Sequence, residues 1–71
     1  MTKKRGLELL LKWLNGAIEP SDWREIGSGT HNAMFRAAGF EWRDWRYAKD
    51  DDAFHLNVRA AYAAALAGEN E

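Results

Sequence analysis

The chain has no cysteine and a single proline. Without thiols there is no disulfide, no thiolate zinc site and no cysteine nucleophile. Their absence fits a reducing compartment, and a cytoplasmic location is expected. Long apolar runs are missing as well. Nothing approaches the ~18 consecutive apolar residues of a membrane span. Met1 leads into Thr2-Lys3-Lys4-Arg5 and then an amphipathic stretch, so no secretory leader is expected. There is no H-E-x-x-H, no phosphate-cradling glycine loop and no nucleophile beside a base. These gaps predict a non-catalytic protein with no cofactor, no metal, no membrane partner and no small-molecule substrate.

A large excess of one charge is also lacking. Net charge is −1, but it is unevenly distributed. Residues 1–49 hold nine Lys/Arg against six acids, whereas residues 50–71 hold Arg59 against five acids. The whole chain is no polycation, which argues against non-specific nucleic-acid binding. A basic face remains open to the first two thirds.

What is present is helix. At 71 residues the chain is expected to form one domain, 1–71. Leu7, Leu10, Leu11, Leu14 and Ile18 recur as one apolar stripe, widened by Leu9 and Trp13. Thr2 is placed to cap this first helix and Asn15-Gly16 to end it, with Lys4, Glu8 and Lys12 at i, i+4 spacing on another face. After Pro20, Ser21 or Asp22 is expected to cap a short second helix, with Asp22 and Glu25 in capping-box spacing and Trp23 and Ile26 as its contacts. Gly27-Ser28-Gly29 reads as a turn. Thr30 is expected to cap a third helix over 31–38. Gly39 would be its left-handed end, bringing Phe35 and Phe40 together. Residues 41–49 suit a short helix or irregular segment. In the last helix Phe54, Val58, Ala61, Tyr62 and Ala65 make a stripe, Asp50, Asp51 and Asp52 favour its N-terminus, and Gly68 is expected to close it. Leu56 and Leu66 fall off that stripe, which suggests a second contact surface. The expected fold is all-α: a small compact bundle of two longer helices, N- and C-terminal, with two or more short helices between.

The stretch 35–49 interleaves rings with arginines. Trp, Tyr and Arg are the residues enriched at interface hot spots. The chain carries four Trp, two Tyr and three Phe. Each ring buries ~150–250 Å² when covered, and so small a core has trouble enclosing them all. Trp42, Arg43, Trp45, Arg46 and Tyr47 are therefore the expected anchors for a protein partner or a second copy. The expected function is an adaptor or inhibitor docking on a larger macromolecule. The small size and dense aromatics fit an accessory protein of a bacterial virus or mobile element.

The alternative is a helix-turn-helix over 21–38, reading DNA through Thr30, His31, Asn32 and Arg36 at the front of its second helix. Single-strand binding by the aromatic, basic stretch ranks below it. His31, His55 and the aspartates are the enzymatic candidates. Asp51 and Asp52 lie one helical turn before His55, a spacing that metal sites share with ordinary helix caps, and the cap is preferred. Lys3, Lys4 and Arg5 beside a leucine stripe superficially fit a membrane-surface helix, but the leucines are needed in the core.

Overall fold

In the computed structural model, residues 1–27, 32–41 and 45–69 are described, with the side chains of residues 32, 45, 46 and 69 outside that description. Helix α1 spans Lys3–Leu14. Thr2 caps it as expected, its Oγ1 accepting the Arg5 N–H at 3.1 Å. At the other end the Ala17 N–H donates to the Lys12 carbonyl at 2.8 Å and the Gly16 N–H to that of Trp13 at 3.1 Å. That pair of bonds is a Schellman ending, with Gly16 as its left-handed residue.

Helix α2 spans Pro20–Ile26. It starts earlier than the sequence suggests. Glu19 is the N-cap and Pro20 the first helical residue, a position where the missing proline N–H costs no hydrogen bond. Neither Ser21 nor Asp22 caps, and the box partner of Asp22 is Glu19 rather than Glu25: the Asp22 carboxylate accepts the Glu19 N–H at 3.0 Å. Gly27 ends the helix. Ser28, Gly29 and the Thr30 cap lie outside the described residues.

Helix α3 spans Asn32–Ala38. It ends as its sequence dictates. The Phe40 N–H donates to the Phe35 carbonyl at 2.8 Å and the Gly39 N–H to that of Arg36 at 3.1 Å, with Gly39 at φ 88°. One turn, α4, covers Trp45–Ala48. Helix α5 spans Asp52–Glu69. Asp51 is its cap, Oδ1 accepting the Phe54 N–H at 3.2 Å. Gly68, expected to close the helix, lies in its last turn and is not itself left-handed.

These segments make an all-α bundle with no strand among the described residues, two longer helices at the ends of the chain and short ones between. Its radius of gyration, 11.6 Å, is close to the ~11 Å of a compact chain this long. Helix α1 is the hub, packing on both α3 and α5. Leu7, Leu9, Leu10, Met34, Phe35 and Val58 are fully enclosed, and each such side chain stabilises by about 1.5–3 kcal/mol relative to exposure. Leu11 and Ile18, by contrast, are half-buried at the margin. Trp13 meets Phe35 edge-on at 5.7 Å, and Phe35 stacks on Phe54 at 5.8 Å. Phe40 meets Phe54 edge-on at 5.3 Å, so Phe54 carries the α3 ending onto α5.

A polar clamp ties α2 to α1. Asp22 is the one buried charged residue among those described, 5% exposed. Lys12 Nζ lies 2.9 Å from its Oδ2 and Arg5 Nη2 3.6 Å from its Oδ1. Arg5 also donates to both oxygens of Glu25, at 2.8 and 2.9 Å, and to Glu8 at 2.9 Å. Lys12 thus turns to Asp22 rather than to Glu8, and Glu8 pairs with Arg5 and, at 3.9 Å, with Lys4.

Candidate docking surface

The C-terminal end of α3, the turn α4 and the start of α5 converge on a cavity of about 120 Å³, partly open to solvent. Phe35, Phe54 and Ala48 supply its apolar lining, and Tyr47, Glu41 and Asp51 line it as well. Each wall has a local cause. The left-handed turn at Gly39 reverses the chain after α3 and delivers Phe40 and Glu41 beside α5. Burial of Ala48 seats α4 on the core, while its neighbour Tyr47 is 72% exposed. Asp51 is fixed by its capping bond, and its second oxygen has no partner among the described residues.

Of the anchors expected from the sequence, Tyr47 is thus an exposed ring at the cavity. Trp42 and Arg43 lie outside the described residues, as do the side chains of Trp45 and Arg46, whose backbone forms the start of α4. The described rings divide into three groups. Trp13 and Phe35 are enclosed; Trp23, Phe40, Phe54 and Tyr62 are partly covered; Tyr47 is in solvent.

A second apolar surface lies on α5. Val58 is buried and Phe54, Ala61, Tyr62 and Ala65 are half-buried, as their stripe requires. On the opposite face Leu56, Ala60, Ala63 and Ala67 follow helical spacing, and all are exposed, Leu56 at 62%. A shallow depression between α1 and α5 is lined by Arg5, Glu8, Leu11, Lys12 and Tyr62, and its three charged groups are already engaged in the clamp.

The alternative set divides similarly. Thr30, His31 and the Asn32 side chain lie outside the described residues, while Arg36 is exposed on α3. Met34, Phe35 and Ala38 of that helix are buried, so α3 serves chiefly as core. Asp51 acts as a cap, and His55 is not paired with it: its Nε2 lies 2.7 Å from the Lys49 carbonyl oxygen. Among the described residues no three His, Asp or Glu side chains gather around a common point, and no helix is long and apolar enough to cross a membrane.

Two features escaped sequence reasoning. Gly6 is buried where α1 meets α3, and a lone glycine inside a helical pattern was the available signal. Asp22 carries the inter-helix clamp, which no local spacing announces. Neither known protein families nor curated sequences nor solved structures yielded a match to this chain.

Proposed function

We propose that this protein is a non-catalytic protein-binding module, an adaptor or inhibitor that docks on a larger protein or on a second copy of itself through the surface built around α4. Its anchors are Trp42, Arg43, Trp45, Arg46 and Tyr47. The observation that carries this reading is Tyr47, a large ring left 72% exposed at the edge of an aromatic-lined cavity. An interface gains from such a ring, because aromatic side chains that fill pockets are typical hot spots. The exposed apolar residues Leu56, Ala60, Ala63 and Ala67 on the outer face of α5 support the same reading.

The test is capture of a partner from native extract by the tagged chain, compared with a Trp45→Ala/Arg46→Ala variant checked for helicity by circular dichroism. Loss of capture with helicity intact is expected. If both changes melt the fold, those side chains are structural and the site is wrong.

A further inference from the structure

Residues 17–26 differ from the rest of the fold in how they are attached. They run between two left-handed glycines, Gly16 at φ 68° and Gly27 at φ 94°, and a Cβ built on either meets no atom within 4 Å. Within α2 only Asp22 and Ile26 are buried, and Trp23 is partly covered against the core. The fully enclosed apolar side chains belong instead to α1, α3 and α5. What fastens α2 to α1 is the ion cluster, Asp22 with Lys12 and Arg5 and Glu25 with Arg5. Arg5, Leu9 and Lys12 fall at i, i+4 and i+7, so α2 lies along the face of α1 that carries the enclosed Leu9. We propose that residues 17–26 are an acid-released strap, which swings off this face as a unit about Gly16 and Gly27 while α1, α3 and α5 stay packed. The strap does not depend on the docking reading.

The attachment is weak in apolar terms and strong in polar ones. An isolated helix the length of α2 does not hold its shape in water, so α2 persists only while docked. Its apolar grip is one isoleucine and part of a tryptophan. The buried Asp22 carboxylate is compensated by Lys12 Nζ at 2.9 Å and by the Glu19 N–H at 3.0 Å. Protonation removes the charge around which both cations are arranged, and a buried cluster that loses one partner is strongly weakened.

The direction follows from linkage. The hydrogen bond from Lys12, then that from the Glu19 N–H, hold the Asp22 carboxyl below its ordinary range, and Arg5 does the same for Glu25. In the open strap both carboxyls return to ordinary values. The open form therefore takes up protons more readily, and acid below about pH 4 favours it. The other groups at the junction are Glu19 at the α2 cap, Glu8, which shares Arg5, the Met1 amino group, which acts on Glu25, and Tyr62 of α5 beside Arg5 and Lys12. Asp22 and Glu25 are the carboxyls that join the strap to α1, and so the pair whose protonation releases it.

Hydrogen exchange of the intact chain tests this, followed by two-dimensional NMR at pH 6 and pH 3 and corrected for intrinsic rates. The Trp23 and Gly27 N–H groups, bonded to the Glu19 and Trp23 carbonyls, should be at least tenfold less protected than those of Leu10, Phe35 and Val58. Their protection should fall about tenfold further at pH 3. Asp22→Asn keeps an oxygen to accept the Glu19 N–H, and Lys12→Met keeps the apolar stem. Each should loosen the strap at pH 6 and shrink its response to acid. Equal protection of α2 and the bundle at both pH values would mean a single cooperative unit and overturn the proposal. So would α2 protection indifferent to acid, or an acid response undiminished in both variants. Should either variant unfold, the wild-type comparison decides alone.

Discussion

Gly6 of α1 packs directly against Ala37 of α3: a Cβ built on Gly6 would lie 2.7 Å from the Ala37 Cβ and 2.9 Å from the Ala38 nitrogen. The second of these contacts is backbone, so it cannot be relieved by turning a side chain. Alanine at position 6 would gain up to ~1 kcal/mol in helix propensity. Overpacking typically costs ~1–3 kcal/mol. Gly6→Ala should therefore destabilise, as urea unfolding followed by circular dichroism will show. Adding Ala37→Gly should restore only part of the loss, because the Ala38 contact remains.

Phe35 is enclosed and touches both Trp13 and Phe54. Truncating a buried phenylalanine costs about 3–5 kcal/mol. Domains of this size rarely draw more than ~3–5 kcal/mol from their core. Phe35→Ala is expected to leave the chain largely unfolded at 25 °C, and far-ultraviolet circular dichroism is the check. Tyr47→Ser should leave the melting curve unchanged, since that ring is in solvent.

The clamp makes stability depend on acidity. The hydrogen bond from Lys12 and then the Glu19 N–H hold the Asp22 carboxyl below its ordinary pKa, against an opposing desolvation cost. Arg5 does the same for Glu25 through its side-chain hydrogen bonds. A depressed folded-state pKa contributes stability that is present above the unfolded value, roughly 4, and is lost as pH falls through the folded value. The thermal midpoint should thus stay level near neutrality and drop below about pH 4. Asp22→Asn should flatten part of that drop while lowering the midpoint at pH 7. A midpoint that rises on acidification would contradict the clamp.

Duplex DNA supplies the sharpest competing reading. Arg36 is exposed on α3, but the buried Met34, Phe35 and Ala38 commit most of that helix to the core. A gel shift with mixed duplex DNA across a salt series should show no retardation even at low salt. A shift that weakens steeply with salt would support the helix-turn-helix instead.

The features legible in the sequence are those whose causes are local. Phe35, Gly39 and Phe40 specify a helix ending within six residues, and the predicted bonds form. The apolar stripes of α1 and α5 show which faces turn inward, and Leu56 stands out as off-stripe and exposed. Where spacing misleads, a competing partner wins. Asp22 is three residues before Glu25 but bonds back to Glu19 and across to Lys12, because Pro20 starts the helix one turn earlier. Gly68 sits in the last turn of α5 in a helical rather than a left-handed conformation, which glycine adopts as readily. The cavity joins residues from α3, α4 and α5, so its acidic and aromatic lining emerges only once the chain has folded. Tyr47 is the expected anchor that connects the two levels.

Quantitative capture with a Tyr47→Ser variant tests the docking surface most directly. Wild-type and variant chains are immobilised at equal density, exposed to native extract, and their retained proteins measured by mass spectrometry beside melting curves of both. A hot spot of ~2 kcal/mol corresponds to a loss of about thirtyfold in affinity. The expected result is a specific partner held by the wild type and depleted to that extent by the variant, with unchanged melting. Equal retention by both chains would contradict it.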